Sequence, residues 1–381
     1  MSNLPEKLKK RLLARQTNSS LRSLKNYTAA FDFSSNDYLG MGRLPFDPKP
    51  EEIYPSGSGG SRLLTGNHEA YTAFEERLCS FHQQESALVF NSGYDANLGL
   101  IAALGLRGDL ILYDALAHAS IRDGIQLAQA RSIKFRHNDL DHLEQLLLAH
   151  KPEDGSCYVI TESVFSMDGD SPDLKAMADL CDSHHAYLIV DEAHAVGVFG
   201  PRGVGLVQAL ELQDRLLARV VTFGKALGYH GAAVLGSEEL KSYLVNFARP
   251  LIYSTALAPK ELISLNERYQ WLAGSDASLE EIQKLHRNIA LLRSYIEKYR
   301  LSDHFIASES AIHTVVIRGN SKVKATAEQL SELGFGVLPI LAPTVPEGSE
   351  RIRICLHSYN QQESIKLLIE KLAEIIHKDA Q

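Results

Sequence analysis

The chain contains few cysteines, the residues whose disulfides stabilise small secreted proteins. Only four of its 381 residues are cysteine, and no two of them form a Cys-x-x-Cys pair. This spacing excludes a disulfide framework and indicates reduced thiols that pack as small apolar side chains, as in a cytoplasmic protein. The histidines at 184, 185 and 194 also lack the spacing of a zinc protease, so we expect no metal centre.

Positive charge and long apolar runs are scarce as well. Lys and Arg number 39 against 47 Asp and Glu, which gives a net charge of -8. Such a balance argues against nucleic-acid binding, because phosphate neutralisation needs a basic surface. No apolar run reaches the roughly 18 residues that cross a bilayer, and the basic segment 1–16 lacks the apolar core of a signal peptide. We therefore expect neither nucleic acid nor membrane as a partner.

Two motifs that resemble nucleotide sites are incomplete. Residues 191–194 read Asp-Glu-Ala-His, as in helicases, but a helicase also needs the glycine-rich phosphate loop. The Gly-Lys pair at 224–225 has Arg219 where that loop requires its first glycine. The glycine-rich segment 57–61 is not Gly-x-Gly-x-x-Gly and follows no clear strand. Both an NTPase and a dinucleotide-binding site are therefore disfavoured.

Seven short apolar segments alternate with helical stretches in the first two thirds of the chain. Because they are apolar throughout, they are expected to be strands covered on both faces, in a mainly parallel sheet wrapped by helices. The link 225–230 is too short for a helical crossover, so the seventh strand is predicted to run antiparallel. The segments are SALVFNS (86–92), DLILYD (109–114), SIKFRH (132–137), CYVITE (157–162), AYLIVDE (186–192), RVVTFG (219–224) and GAAVLGS (231–237).

The periodicity changes after Pro259. A long helical region at 260–300 is followed by short strand segments, a helix near 322–333 and a final helix with one apolar stripe. The beginning of the chain reads as a short helix with Leu4, Leu8 and Leu12 four residues apart. We therefore predict an N-terminal helix and arm over 1–45, a large α/β domain over 46–259, and a smaller α+β C-terminal domain over 260–381.

Two charged residues follow predicted strands. Asp191 closes an apolar strand, and Lys225 follows a later strand between glycines. Taken alone, Asp191 could be a helix N-cap and Lys225 a solvated surface lysine. Ligands of open α/β sheets, however, bind at the carboxyl ends of strands. A lysine and a carboxylate there are the two groups that a pyridoxal phosphate (PLP) site requires, one to bind the cofactor covalently and one to pair with its ring nitrogen.

A phosphate site is expected where the first strand meets the next helix. The strand 86–92 is followed by Gly93 and then by a helical run. The start of such a helix offers free N–H groups and the positive end of the helix dipole. Many strand–helix turns share this property, so the segment supports a PLP site without deciding it.

The motifs taken together resemble the α-oxoamine synthases, which are PLP enzymes of the aspartate aminotransferase fold (fold type I). The resemblance runs from about Ser34 to the C-terminus. It implies a PLP-dependent acyltransferase that works as a homodimer with shared active sites. The segments that carry it are SSNDYLG (34–40), GSGGSRLLTGN (57–67), FNSGYDAN (90–97), DALAHAS (114–120), TESVFSMDGD (161–170), DEAHAVGVFG (191–200), TFGKALG (222–228) and IYSTALAP (252–259).

The resemblance implies a role for each cofactor-binding residue. Lys225 binds PLP covalently and moves the substrate proton, Asp191 pairs with the ring nitrogen, and His118 stacks on the ring. From the residues alone, His118 could also be a core histidine and Ser166 a turn residue. The other implied cofactor contacts are Gly93, Tyr94 and Thr222 at the phosphate, His194 and Ser166 at the ring hydroxyl, and Thr255 at the phosphate of the neighbouring subunit's cofactor.

The resemblance also implies substrate contacts. Asn36 and Arg353 hold the carboxylate of the amino acid. Arg351 lies on the same strand face as Arg353 and is an alternative anchor, although the family pattern favours Arg353. The full implied set is Arg22, Asn36, His118, Thr344 and Arg353.

The substrate pair is the least determined expectation. The motifs are most similar to family members that condense L-alanine with a pimeloyl thioester, carried by CoA or by a carrier protein, with loss of CO2. Sister synthases that use glycine or serine with another acyl group share the core residues. An inactive scaffold would lack Lys225 or Asp191, and both are present. Segments 22–34 and 42–56 are shorter than in the family, near its acyl-substrate entrance, which leaves the acyl specificity open.

Overall fold

The computed structural model describes residues 4–18, 20–22, 24, 29–46, 54–342 and 344–378. The chain divides into two compact units. The larger comprises Asn36–Ser166 and Asp170–Lys284, and the smaller comprises Met1–Ser35, Met167–Gly169 and Leu285–Gln381. The domains expected from the sequence (1–45, 46–259 and 260–381) are divided at other residues and stay a prediction.

Helices and strands follow one another along the described chain as listed here. The elements are α1 (Glu6–Thr17), β1 (Phe31–Asp32), α2 (Glu69–His82), β2 (Ser86–Phe90), α3 (Gly93–Leu104), β3 (Leu110–Asp114), α4 (Ala119–Leu127), β4 (Arg131–Phe135), α5 (Leu140–His150), β5 (Cys157–Glu162), α6 (Leu174–His184), β6 (Tyr187–Asp191), α7 (Leu206–Ala209), β7 (Ala218–Thr222), β8 (Ala232–Gly236), α8 (Glu238–Phe247), α9 (Arg249–Tyr253), α10 (Pro259–Gly274), α11 (Asp276–Lys298), β9 (Phe305–Ile306), β10 (Ile312–Val316), α12 (Asn320–Glu332), β11 (Phe335–Gly336), β12 (Leu338–Ile340), β13 (Arg351–Cys355) and α13 (Gln362–Lys378).

The larger unit is built on the seven-stranded sheet that the sequence predicts. Its strand order is β2-β8-β7-β6-β5-β3-β4. The neighbours from β7 to β4 pair in parallel, whereas β8 is antiparallel to both β2 and β7. The expected antiparallel seventh strand is therefore confirmed, and it lies inside the sheet between β2 and β7.

Both faces of this sheet are covered by helices, because alternate strand residues point to opposite sides. On one face Phe90, Ile160 and Val220 pack with apolar residues of α3, α4, α8 and α9. On the other face Val89 and Val221 pack with α2 and α10, and Val159 packs with α5 and α6. The structure thus has the mainly parallel α/β architecture of the predicted fold class.

The smaller unit holds two short sheets. One is antiparallel with the order β12-β13-β10-β9, and the other is the parallel pair β1-β11. The final helix α13 buries Ile365, Leu368, Ile369 and Leu372. The predicted helices and strands after residue 300 are therefore present.

The cysteines are unpaired and mostly buried, as expected for thiols that pack as small apolar side chains. All four cysteines are free, and Cys157, Cys181 and Cys355 are buried. Burial raises the pKa of Cys157 to about 11 and that of Cys181 to about 12, so these thiols stay neutral at ordinary pH.

No helix in the described part of the chain is long and apolar enough to cross a membrane.

Candidate active site

Polar residues meet at the carboxyl edge of the large sheet. Glu162 ends β5 and Asp191 ends β6, and these two residues are neighbours in the strand register. Thr222 ends β7, the next strand in the sheet. Because parallel strands bring their carboxyl ends to one edge, residues far apart in the sequence come together here.

Asp191 is a buried carboxylate, with 5% of its surface exposed. Its Oδ2 accepts a hydrogen bond from Asn97 Nδ2 at 2.7 Å, and its Oδ1 accepts one from the Ala193 N–H at 2.9 Å. The residues that follow Asp191 form turns. Asp191 is therefore not a helix N-cap, and its charge is held at a strand end by two donors.

His118 is influenced by both charged residues that the sequence singled out. Desolvation lowers the pKa of His118, while the charge of Asp191 raises it and that of Lys225 lowers it. Lys225 lies three residues beyond β7 and is half-buried. The charges of Lys225 and Asp191 thus both lie near enough to His118 to act on its ring. His118 is exposed, which excludes the alternative that it is a core histidine.

The backbone of His118 is fixed by a buried glutamate. His118 is the N-cap residue of α4, and its N–H donates to Glu162 Oε1 at 2.7 Å. The backbone of Ser166 also hydrogen bonds to Glu162. Burial, followed by the neighbouring charge of Asp191, raises the pKa of Glu162 well above its ordinary value. Glu162 therefore ties two predicted cofactor contacts to one anchor.

The predicted phosphate contacts lie where β7 ends and α3 begins. Both Phe90 at the end of β2 and Thr222 at the end of β7 pair with Ala232, which places them on either side of β8. A Cβ at Gly93 would come 2.6 Å from Thr222 Cγ2, so a larger residue here would displace the Thr222 side chain. The buried Thr222 Oγ1 has no hydrogen-bond partner among the described residues. A hydroxyl left without a partner beside a helix start fits a bound phosphate.

Tyr94 and the start of α3 are held by local hydrogen bonds. Ser92 is the N-cap residue, and its Oγ accepts from the Asp95 N–H at 3.0 Å. The Tyr94 hydroxyl donates to Asp123 on α4. This hydrogen bond raises the pKa of Tyr94. The phenol is thus engaged with Asp123, and it is the backbone of Tyr94 that the family pattern assigns to the phosphate.

His194 and Asn36 are joined by a residue that the sequence did not single out. The Tyr38 hydroxyl donates to Asn36 Oδ1 at 3.2 Å and lies 2.7 Å from His194 Nδ1. Tyr38 is fully buried. It therefore fixes a predicted cofactor contact and a predicted substrate contact at once.

Thr255 differs from the other predicted contacts because its side chain is exposed. Its carbonyl oxygen accepts from Asn91 Nδ2 at 2.7 Å, which fixes the backbone of the segment beside β2. The side chain is accordingly available to a second molecule.

Three predicted substrate contacts belong to the smaller unit. Arg22 and Thr344 are both exposed and hydrogen bonded to each other, at 3.2 Å from Nη2 to Oγ1. Arg353 lies on the central strand β13, opposite Thr314 and Leu338. Parts of the shortened segments 22–34 and 42–56 lie outside the described residues.

The alternative anchor Arg351 is already committed to another role. Its guanidinium is buried and forms an ion pair with Asp168, and its Nε donates to the Ser349 carbonyl at 2.7 Å. Because this charge is neutralised inside the unit, Arg353 remains the better candidate for a substrate carboxylate.

The Glu of the helicase-like tetrapeptide is structural. Glu192 is fully buried in an ion pair with Arg219, and its Oε1 also accepts from the Val207 N–H at 3.0 Å. Arg219 is also hydrogen bonded to the Val204 carbonyl. This pair explains why a charged residue stands in the strand RVVTF without any role in nucleotide chemistry.

Sequence reasoning missed Asn97, Ser120, Glu162 and Tyr38. Asn97 Nδ2 donates to Ser120 Oγ at 3.0 Å as well as to Asp191. The signal in the sequence is slight: Asn97 is a lone amide in the apolar helical run 96–104. Buried polar residues in such runs need hydrogen-bond partners, and the sequence does not reveal which partners the fold supplies.

Known proteins resemble this chain over most of its length. Residues 28–372 match the family model of class I and II aminotransferases. A relative from Emericella nidulans, 8-amino-7-oxononanoate synthase, is 39% identical over 369 residues, which cover 91% of this chain and 89% of that protein. The chain belongs to the α-oxoamine synthases of this aminotransferase family.

Two solved structures extend the comparison to the fold. A structure of serine palmitoyltransferase (SPT) with PLP has a TM-score of 0.90 at 26% identity, with 99% of each chain covered. The 8-amino-7-oxononanoate synthase of Francisella tularensis has a TM-score of 0.75 at 27% identity, with 92% of this chain and 99% of that chain covered. This α-oxoamine synthase is therefore a fold type I enzyme with PLP as its cofactor, as the sequence predicted.

Proposed function

We propose that the enzyme condenses L-alanine with a pimeloyl thioester to give 8-amino-7-oxononanoate, CO2 and the free thiol, a step of biotin biosynthesis. The observation that carries the proposal is the grouping of Lys225, Asp191 and His118 at the carboxyl edge of the sheet. The relatives named for this reaction are similar over most of the chain. CoA and a carrier protein are both possible carriers of the pimeloyl group.

The residues of this chain divide the proposed chemistry among them. PLP, when bound, delocalises the negative charge that develops as the amino acid loses its Cα proton. The Lys225 amine accepts that proton and later returns one to the same carbon. The Asp191 carboxylate holds a proton on the ring nitrogen of the cofactor, and the neutral His118 ring covers the cofactor ring. Thr222 and the backbone at Gly93 and Tyr94 bind the phosphate.

Asn36 and Arg353 are proposed to orient the amino acid substrate. Arg353 binds the carboxylate of alanine together with Asn36, whose amide oxygen is fixed by Tyr38. Holding the carboxylate sets the direction of the Cα–H bond, which decides whether the proton can leave. Ser166 and His194 orient the ring hydroxyl side of the cofactor.

The acyl group is proposed to be selected by Arg22. Its guanidinium is exposed and is oriented by Thr344. A pimeloyl chain ends in a carboxyl group, which a guanidinium binds well because the two match in shape and charge. An acetyl group offers no such charge, and a succinyl chain is too short to reach from the same thioester position.

A sister synthase is the second candidate. The TM-score to SPT, 0.90, is higher than the 0.75 to the named synthase from Francisella. Glycine or serine with another acyl thioester would use the same Lys225 and Asp191. The greater sequence identity to the named 8-amino-7-oxononanoate synthases favours the first candidate.

The proposed enzyme works as a homodimer in the cytoplasm. Support comes from the exposed side chain of Thr255, whose counterpart in the family contacts the cofactor of the neighbouring subunit, and from the reduced, largely buried cysteines.

One experiment decides between the two candidates. The holoenzyme is given L-alanine, glycine or L-serine with pimeloyl-, acetyl-, succinyl- or palmitoyl-CoA, or pimeloyl carrier protein, and each product is identified by mass. We expect the highest kcat/KM for alanine with a pimeloyl thioester. A higher value for glycine or serine with another thioester would establish the sister reaction.

A further inference from the structure

A continuous hydrogen-bonded chain links the two predicted ring-binding side chains. Asn97 Nδ2 donates to Asp191 Oδ2 at 2.7 Å and to Ser120 Oγ at 3.0 Å. Ser120 Oγ lies 2.8 Å from His118 Nδ1, and the Ser120 N–H also donates to this nitrogen at 3.2 Å. Asn97 and Ser120 are buried, with 3% and 0% of their surface exposed. Water therefore does not compete for the Asn97 and Ser120 side chains.

Donor and acceptor rules assign a direction to each hydrogen bond in this chain. The Asn97 NH2 group has two hydrogens, and its two acceptors take both of them. If the amide were flipped, its carbonyl oxygen would face the Asp191 carboxylate, which repels it. Ser120 Oγ accepts from Asn97 and has one proton of its own to give. Because the Ser120 N–H can only donate, we infer that His118 Nδ1 is an acceptor and that the Ser120 hydroxyl also donates to it.

We propose that Asn97 and Ser120 are positioning residues that lock the orientation of Asp191 and the tautomer of His118 through one directed chain of hydrogen bonds. His118 is then the neutral imidazole with its proton on Nε2. Asp191 keeps one carboxylate oxygen on Asn97 and the other on Ala193. This inference rests on the proposed function, because it assigns these positions to the binding of the PLP ring.

The surroundings of His118 are compatible with this arrangement. Asp191, Lys225, Arg122 and Asp123 are the charged groups that act on the ring, and Glu162 binds the His118 backbone N–H. The two cations oppose protonation of the ring and the two carboxylates favour it. The hydrogen bonding from Ser120 to His118 Nδ1 adds a preference for the neutral ring, because a hydrogen bond donated to the neutral form disfavours the protonated one.

The two ends of the chain can be tested separately. Ser120→Ala removes the link to His118 and leaves the bond between Asn97 and Asp191. Asn97→Ala removes one of the two donors to Asp191, leaving the Ala193 N–H, and it also removes the donor that orients Ser120. Ser278→Ala and Asn288→Ala are matched controls, since Ser278 and Asn288 are as buried and bond only to backbone carbonyls elsewhere.

The first measurement concerns the tautomer in cofactor-free protein. Long-range 1H–15N spectra of protein labelled in histidine report which ring nitrogen carries the proton, and a His118→Gln variant assigns the signal. We expect the Nε2–H form in the wild type and both controls. Ser120→Ala should give a mixture of tautomers and a higher His118 pKa, and Ser120→Thr, which keeps the hydroxyl, should restore the Nε2–H form.

The second measurement concerns bound PLP without any substrate. Asn97→Ala should raise the PLP dissociation constant roughly tenfold, the size of one hydrogen bond to a charged group. It should also shift the pH midpoint of the visible absorption band. Ser120→Ala should leave this midpoint close to that of the wild type. Thermal unfolding of each variant and its control separates these effects from a loss of folding.

An unchanged tautomer in Ser120→Ala, or an unchanged affinity and absorption midpoint in Asn97→Ala, would overturn the inference. A different amino acid or thioester substrate would overturn only the proposed reaction, because neither measurement contains a substrate. If PLP failed to bind Lys225, the spectra of the cofactor-free protein would still decide the tautomer.

Discussion

At the scale of single residues, Asp191 and Lys225 are held differently, in keeping with different tasks. The Asp191 carboxylate is buried and accepts two hydrogen bonds, so its charge stays at one place. Lys225 lies in a turn beyond β7 and is only half-buried. A fixed carboxylate suits a permanent partner of the cofactor ring, and a lysine on a turn suits a group that must release and rebind the cofactor.

The role of Lys225 can be tested directly. Borohydride reduction of the holoenzyme should fix PLP covalently to the peptide that contains residues 222–228. Lys225→Ala should prevent this fixation and abolish turnover, because the variant loses both the attachment site and the base. Lys260→Ala, at an exposed lysine of α10, is the control and should behave as the wild type. PLP on a different lysine would contradict the assignment.

Arg22 can be tested through KM. Arg22→Ala should raise KM for pimeloyl-CoA roughly tenfold, as expected when one hydrogen-bonded charge pair is lost. KM for alanine and the visible spectrum should not change. Thr344→Val should have a smaller effect in the same direction, because it removes only the group that orients the guanidinium. Arg287→Ala, at an exposed arginine of α11, serves as the control for general charge effects. Equal KM values for Arg22→Ala and the wild type would exclude the contact.

The sequence predicts the charged residues of this site better than the polar residues that hold them in position. Lys225 and Asp191 follow apolar strands, a pattern visible in the sequence, and the structure brings both of them to His118. Asn97, Ser120 and Tyr38 could not be found this way, because their importance depends on partners as much as 156 residues away in the chain. Spacing along the sequence carries no information about such pairs.

At the scale of secondary structure elements, His137 lies two residues beyond β4 and links the end of β3 to the loop that follows β5. Its Nδ1 lies 2.8 Å from Asp114 Oδ1 at the end of β3, and its Nε2 lies 2.8 Å from Asp170 Oδ2. Partial burial lowers the pKa of His137, but the hydrogen bonds to both carboxylates outweigh it and raise this pKa to about 10. The sequence suggested only that this histidine ends a strand.

The two contacts of His137 with Asp114 and Asp170 predict that the stability of the protein depends on pH. Since the folded pKa lies above the unfolded value of about 6.5, the contribution of His137 should be full below pH 6.5 and should disappear as the pH rises through 10. His137→Gln should therefore lower the free energy of unfolding by about 2 kcal/mol near pH 6. The difference from the wild type should decrease toward pH 10, as measured by urea unfolding.

A nearby exposed ion pair provides the control for this experiment. Arg136 and Asp139 are 2.6 Å apart, but the Arg136 side chain is 63% exposed. Arg136→Gln should lower the free energy of unfolding much less than His137→Gln does, at any pH, because water screens an exposed ion pair. A difference between His137→Gln and the wild type that does not vary with pH would show that the imidazole is neutral in the folded protein.

Strand positions were predictable because of their composition. All seven strands of the large sheet lie within or one residue from the predicted segments, since apolar, β-branched runs between polar turns have few alternatives. The two-residue strands β1, β9 and β11 gave no such signal. They form by pairing with distant segments, and two residues are too few to show a period.

At the scale of the whole molecule, strand order is the part of the fold that residues alone did not reveal. β8 follows β7 directly in the chain, yet it also pairs with β2, more than 140 residues earlier. This pairing brings the start of α3 to Thr222 and thereby creates the candidate phosphate site. The composition of each strand fixes that it is buried, but many orders of buried strands would satisfy the same composition.

The assembly of two chains can be tested through Thr255. Thr255 is exposed while its backbone is fixed by Asn91, so a neighbouring subunit could reach its hydroxyl without rearrangement. If this hydroxyl binds the phosphate of the partner's cofactor, Thr255→Ala should weaken PLP retention by about 1.5–3 kcal/mol, the range for a hydrogen bond to a charged group. Ser254→Ala, one residue away, is the matched control. Sedimentation of the holoenzyme should show a dimer, and dilution below its dissociation constant should release PLP and activity together. A monomer that keeps full activity would exclude shared sites.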